Sequence, residues 1–158
     1  MIGLEIGRIL HMLGVVFWIG GVAFVTTIIL PTIKKFKSAE EAIEFFEKVE
    51  HRFAIQVKIA SLITGLSGFY MISKLKIWDW FLDPSYWWMW AMATVWLIFT
   101  LMLFVIEPLV LKKRWREKAK TDPEGVFKQM QKMHLHLLWL SLLTIISAVA
   151  GSHGWLFF

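Results

Sequence analysis

Five histidines have the most specific chemistry in this sequence: His11, His51, His134, His136 and His153. Imidazole nitrogens are common ligands of transition metals. The chain has no cysteine, which excludes disulfides, thiolate-held iron–sulfur clusters and the covalent attachment of c-type haem. Any metal in this protein is therefore held by histidine, methionine or carboxylate.

Long apolar segments must position these histidines. Hydrophobic residues make up 58% of the chain and the mean hydropathy is +0.61, more than a soluble core requires. No Asp, Glu, Lys or Arg occurs in residues 9–33, 84–106 or 133–158, and each run reaches the roughly 20 residues that cross a hydrocarbon core. A fourth run, 53–73, contains only Lys58, whose long stem can carry its ammonium to the interface.

The predicted fold is all-α: an integral membrane four-helix bundle that forms a single domain over residues 1–158. Helices are expected at about 6–31, 53–73, 84–111 and 124–152. A shorter amphipathic helix is expected at about 39–51, in "SAEEAIEFFEKVEHRF". Ser38 would cap its N-terminus, and Glu41 follows three residues later, as in a capping box. Asp83 and Asp122 each precede a proline, which is typical of helix starts.

The basic residues predict the orientation. They concentrate in loop 31–52 and in loop 112–132, which has eight Lys or Arg, whereas loop 74–83 has only Lys74 and Lys76. The positive-inside rule makes the two basic loops cytoplasmic and both termini external. This asymmetry and attraction to anionic membrane lipid account for the net charge of +5, so no nucleic-acid partner is expected.

The histidines then fall at two depths. His11 and His153 lie toward the outer side, and His51, His134 and His136 toward the inner side. His134 and His153 are 19 residues apart, about 28 Å along a helix, so one cofactor cannot contact both. The sequence therefore favours two sites, each with two imidazoles from different helices.

Small residues share helix faces with these histidines, as a buried porphyrin would require beside each axial ligand. The stripes are His11, Gly14, Trp18 and Gly21; His51, Ala54, Lys58, Ser61, Gly65 and Gly68; and His134, Ser141, Thr144, Ala148 and Gly151. His136 points about 200° away from His134. The same stripes are also typical of close helix packing, and single histidines of this kind are often interfacial, so both alternatives stay open.

Other polar residues have weaker signals. Arg8, Arg52 and Lys58 lie at the depths where haem propionates would emerge, although snorkelling also explains such residues. Glu107 is suited either to proton transfer or to an ion pair with nearby lysines. The eight methionines, which are spread along the chain, are interpreted as core filler rather than copper ligands.

Three stretches carry a family resemblance: "LHMLGVVFWIGGVAFVTTIILP", "KIASLITGLSGFYM" and "HLHLLWLSLLTIISAVAGSHG". The chain resembles the CopD-like membrane proteins, which include copper-resistance proteins, HemJ-type protoporphyrinogen oxidases and cytochrome-like members. The resemblance implies b-type haem or copper chemistry in a bacterial cytoplasmic (inner) membrane, with His11, His134 and His153 at positions of the family. At His51 the family often has another polar residue, and near Trp90 it often has a histidine.

The leading hypothesis is a membrane b-type cytochrome with two non-covalent haems, one near each membrane face. His11 and His153 would ligate the outer haem, and His51 and His134 the inner one. When both axial positions of the iron are filled, no site is left for oxygen or a substrate. This favours electron transfer, with a quinone or a small oxidant as partner, over oxygenation. The alternatives are a HemJ-like oxidase, a copper transport or copper-binding protein, and an accessory subunit. Small-residue faces also favour a homodimer.

Overall fold

The structure is a computed structural model that describes residues 2–33, 35 and 38–155. The regular elements of these residues are all helical, without strands. Four segments are long and apolar enough to cross a membrane: Ile2–Ile33, Glu41–Leu75, Pro84–Leu111 and Pro123–Ser152. The prediction of an all-α, multi-pass membrane protein is confirmed at this level. Residues 156–158, which end the last predicted apolar run, lie outside the described residues.

The first segment changes its winding near its end. Helix α1 (Ile2–Phe24) runs into a π-helical turn (Val25–Ile29) and then α2 (Leu30–Ile33). In this turn the Leu30 amide donates to the carbonyl of Val25, five residues back. The next carbonyl, that of Thr26, would need the amide of Pro31, which has no N–H to donate. The side chain of Gln131 donates to the Thr26 carbonyl instead, at 2.9 Å, and so ties the first segment to the last.

Replacing Gln131 with leucine is expected to lower the free energy of unfolding by about 1 kcal/mol. Thr26 is only 1% exposed, so its carbonyl would lose its donor in a place that water does not reach. Reversible unfolding of the detergent-solubilised protein in SDS measures the loss. Gln129→Leu is the matched control, because Gln129 is exposed on the same helix. Equal effects of the two substitutions would contradict the role of this hydrogen bond.

The second segment is one continuous helix, α3 (Ala39–Leu75). The hydroxyl of Ser38 accepts a hydrogen bond from the amide of Glu41 at 3.0 Å, so the predicted cap is confirmed. The predicted amphipathic helix at about 39–51 is the beginning of α3 rather than a separate element. No proline or glycine follows it before the predicted span at 53, so nothing in the local sequence breaks the helix.

The remaining elements complete the bundle. In chain order they are two 3₁₀ turns (Trp78–Phe81 and Pro84–Tyr86), α4 (Trp87–Leu101), a π-helical segment (Met102–Leu111), α5 (Lys112–Ala119) and α6 (Pro123–Ser152). The π-helical segment after α4 contains Pro108, whose backbone nitrogen cannot donate an α-helical hydrogen bond. The carboxylate of Asp122 accepts from the amide of Gly125 at 2.8 Å and caps α6, as expected from the sequence.

Helices α1 and α3 pack closely along their lengths, and α4 packs on α6, while α3–α4 and α1–α6 contacts are fewer. Around the bundle the order is therefore α1, α3, α4, α6, with α1 and α4 on a diagonal. We call the end with residues 2 and 155 the terminal end. The opposite end, which has the basic segment 112–120, is called the basic end.

An apolar layer fills the middle of the bundle. Its central residues come from all four long helices: Trp18, Val57, Phe99 and Leu138. The Trp18 and Phe99 rings meet edge to face with centroids 5.0 Å apart. Large apolar side chains on the outside of the bundle, such as Phe17 and Leu66, are exposed, as expected where lipid is the solvent.

Candidate functional site

A cavity of about 360 Å³ lies between the four long helices on the terminal side of the apolar layer. We call it the terminal cavity. Its wall includes His11 and Trp18 from α1, Gly68 from α3, Met92 from α4 and Ser141 from α6. Among the residues that the structure describes, none with a charged side chain lines it. Its size and apolar character are typical of sites for organic ligands and cofactors.

His11 is fixed against α3. Its Nδ1 lies 2.9 Å from the carbonyl oxygen of Thr64 and 3.4 Å from the hydroxyl of Ser67. Since a carbonyl oxygen can only accept, Nδ1 must carry a proton and donate to Thr64. The lone pair then belongs to Nε2, which makes no hydrogen bond within the described parts of the chain. Metal-bound histidines are commonly oriented by such a second-nitrogen hydrogen bond.

Three of the four glycines predicted to make room for a macrocycle pack closely against other parts of the protein. A Cβ on Gly14 would lie 3.0 Å from the carbonyl oxygen of Ala60, which shows how closely α1 approaches α3. The ring of Phe53 packs against Gly21, and the indole of Trp96 packs against Gly65. Gly68 faces the His11 ring, since a Cβ there would lie 3.3 Å from its Cε1. The packing alternative thus explains the contacts of Gly14, Gly21 and Gly65, while Gly65 and Gly68 also line the terminal cavity.

Two buried donors on the cavity wall lack an acceptor. The indole N–H groups of Trp18 and Trp88 have no hydrogen-bond partner among the described residues, and both residues line the terminal cavity. Buried N–H groups are normally paired in native proteins. Trp88 lies at the start of α4, near the terminal end, with the N–H edge of its indole against Gly151 of α6.

A second, smaller cavity of about 70 Å³ lies on the other side of the apolar layer. We call it the basic-end cavity. His134 lines it together with Glu50 and Glu107. The Nδ1 of His134 lies 2.9 Å from the carbonyl oxygen of Met130, so this ring also carries its lone pair on Nε2. The two histidines that line cavities thus have the same tautomer.

The methionines are ordered in space although they are spread along the sequence. Met12, Met71, Met89 and Met92 line the terminal cavity, and Met102, Met130 and Met133 line the basic-end cavity. Every methionine of the described residues thus lies on a cavity wall, and Met89 and Met130 are also buried core residues, so the interpretation of the methionines as core filler stays open. Sequence reasoning missed a signal here: Met89 and Met92, and Met130 and Met133, are each three residues apart.

The other predicted ligands lie outside the two cavities. His51 is exposed on α3. His153 is exposed after the end of α6, where its Nδ1 lies 2.8 Å from the carbonyl oxygen of Val149 in its own helix. His136 is exposed as well. His51, His136 and His153 are thus not among the residues that line the two cavities, although Ser152, next to His153, lines the terminal cavity.

The predicted propionate partners are also outside the cavity walls. Arg8 and Arg52 are exposed, and Lys58 is half-buried with its ammonium 5.8 Å from the centre of the Phe104 ring. Arg8 is still one turn outward from His11 on α1. It therefore lies about 4.5 Å further toward the terminal end than His11.

No group of three or more His, Cys, Asp or Glu side chains with metal-binding geometry occurs in the described residues. An axial haem ligand needs no such group, since the porphyrin supplies four of the nitrogen ligands. No protein-family model, no curated protein and no solved structure matches this chain. The resemblance to CopD-like proteins thus rests on the three sequence stretches alone.

Proposed function

We propose that this protein is a membrane b-type cytochrome that binds haem in the terminal cavity, with His11 as an axial ligand. The supporting observation is a large apolar cavity between four helices whose wall presents one histidine with its Nε2 lone pair available. Haem supplies one-electron redox chemistry when it is bound. The residues of the chain would bind the iron, exclude water and orient the ring.

Several features of the cavity suit a porphyrin. Its aromatic and aliphatic wall offers the ring faces apolar contacts, and Gly68 leaves the His11 imidazole close to α3 rather than in the space between the helices. Trp18 and Trp88 add indole rings to this wall, Trp88 near the terminal end. Arg8, at the same end of α1, would offer a charge to a propionate that reaches the surface.

The proposed role is electron transfer between a quinone or a small oxidant and a second redox partner. Charge supports an orientation with the basic end in the cytoplasm and both termini outside, because segment 112–132 has eight Lys or Arg. Ion pairs such as Arg116–Glu47, at 3.0 Å, also lie at this end. The terminal cavity would then serve partners on the outer side, and a bacterial cytoplasmic membrane is the proposed location.

The second haem predicted near His134 has weaker support. The basic-end cavity has a volume of about 70 Å³, far below the roughly 300 Å³ at which organic-ligand sites begin. His51, its proposed second ligand, is exposed. Binding a macrocycle there would require the helices at the basic end to separate.

Copper binding is a second candidate function, and the methionines favour it. Each cavity combines one histidine with three or four methionines, and Cu(I) prefers such soft thioether and imidazole ligands. Two stacked sites of this kind would suit a copper protein. The volume of the terminal cavity argues against copper binding, because a single copper ion would leave most of this cavity of about 360 Å³ unfilled.

The test is the optical spectrum and metal content of detergent-purified protein from haem-replete cells. We expect a red protein with a Soret band, a sharp α-band on reduction and about one haem per chain. A colourless protein would overturn the haem proposal, and stoichiometric copper without iron would establish the copper candidate. Two haems per chain, with half lost in His134→Ala, would establish the two-haem version.

A further inference from the structure

We propose that Met92 is the second axial ligand in the terminal cavity, so that haem iron is held between His11 and Met92. This inference rests on the proposed function and names a ligand pair different from the two histidines expected from the sequence. It follows from the Trp18–Phe99 contact, from helix periodicity and from the walls of the terminal cavity.

The Trp18–Phe99 contact fixes the relative height of α1 and α4. The two rings meet with centroids 5.0 Å apart, although the helices that carry them are on the diagonal of the bundle. His11 lies two turns outward from Trp18 on α1. Met92 lies two turns outward from Phe99 on α4.

Two turns of α-helix, or seven residues, rise about 10 Å and rotate a side chain by only about 20° relative to its starting face. His11 therefore lies on the face of α1 that bears Trp18, and Met92 on the face of α4 that bears Phe99. Because the rings of Trp18 and Phe99 meet, His11 and Met92 oppose each other at one height. Both line the terminal cavity.

The other methionines of this cavity fit the position less well. Met71 is on α3, the helix against which His11 already rests, and its Cγ would be 3.1 Å from a Cβ on Gly7 of α1. Met12 directly follows His11 and is 60% exposed. Met89 is three residues outward from Met92, so it lies about 4.5 Å further along α4.

His153 is too far along its helix to oppose His11. Leu138 of α6 belongs to the same apolar layer as Trp18. From Leu138 to His153 a helix rises about 22 Å, whereas His11 is about 10 Å from Trp18. Thr144 and Ile145, which line the terminal cavity, lie about 10 Å outward from Leu138 and cannot ligate iron through nitrogen or sulfur. The wall extends along α6 as far as Ser152, well beyond that height.

A thioether opposite an imidazole has a chemical consequence. Both ligands are neutral, the wall has no charged side chain among its described residues, and thioether ligation raises the reduction potential of haem relative to a second imidazole. The ferrous state is thereby favoured. The terminal haem would be an electron acceptor from a donor of moderate potential.

The experiment compares the wild-type protein with Met92→Leu and Met89→Leu, substitutions that keep apolar volume. In the wild type we expect the near-infrared charge-transfer band of a thioether bound to ferric haem. Met92→Leu should lose this band, keep its haem, lower its reduction potential and bind carbon monoxide at the vacated position. Met89→Leu should keep the band and exclude carbon monoxide, as the wild type does.

Two further substitutions separate the alternatives. Met92→His should convert the spectrum to that of a bis-imidazole haem, and His153→Ala should leave the wild-type spectrum unchanged. A wild-type bis-imidazole spectrum that His153→Ala abolishes would overturn the assignment of Met92 while leaving the haem proposal intact. A wild-type protein without haem would instead overturn the proposed function itself.

Discussion

Replacing His11 with alanine is expected to remove most of the haem from the purified protein. Among the described residues, His11 is the only histidine on the wall of the terminal cavity, so a haem bound there would lose its imidazole ligand. The measurements are the Soret absorbance per chain and the haem content of the purified protein. His136→Ala is the matched control, since His136 is exposed on α6 and should keep its full haem content.

Loss of haem in this variant must be distinguished from loss of the fold. The hydrogen bond between His11 and the Thr64 carbonyl contributes only about 1 kcal/mol, so the helical circular dichroism and the elution volume should stay unchanged. Free imidazole should occupy the space left by the side chain and restore haem binding. Full haem content in His11→Ala would show that His11 does not hold the haem.

Replacing Gly14 with alanine is expected to destabilise the bundle by about 1–3 kcal/mol. The new methyl group would meet the Thr64 hydroxyl and would lie 3.0 Å from the carbonyl oxygen of Ala60 and 3.1 Å from the amide nitrogen of Thr64. Backbone atoms of a packed helix cannot move aside as a flexible side chain does. Helices α1 and α3 would have to separate, and apolar contacts between them would be lost.

Gly20→Ala is a control on the same helix. A Cβ at Gly20 would have no atom within 4 Å, and alanine has the higher helix propensity, so this variant should be as stable as the wild type or slightly more stable. Unfolding in SDS micelles measures both. Equal stability of Gly14→Ala and Gly20→Ala would contradict the close approach of α1 to α3.

The membrane-spanning helices could be predicted from the sequence because their signal is local. A run of about 20 residues without charge leaves few alternatives to a helix in lipid. The changes of winding could not be predicted in the same way. Pro31 indicates a missing amide, but the donor that compensates, Gln131, lies 105 residues away and reaches Thr26 only because the first and last segments pack together.

The candidate site could be predicted in part. The periodicity of His11 and Trp18 correctly places both on the face of α1 that lines the terminal cavity. The prediction that pairs His11 with His153 rests on membrane side alone, and the height of each residue along its helix enters only once Trp18 and Leu138 are known to belong to one apolar cluster. Which side chains face each other across a bundle depends on how the helices pack. The spacing of residues within one helix does not determine it.

The apolar layer between the two cavities has an electrical consequence. It is built from packed side chains of all four helices, Trp18, Val57, Phe99 and Leu138 among them, and the residues of this cluster bear no charge. A medium of this kind has a low dielectric constant, and an ion that entered it would lose its hydration at a cost of many kcal/mol. A transmembrane voltage would therefore fall steeply across this layer. An elementary charge that crossed the full voltage would change in energy by about 2.3 kcal/mol per 100 mV, and the layer would hold back protons and metal ions.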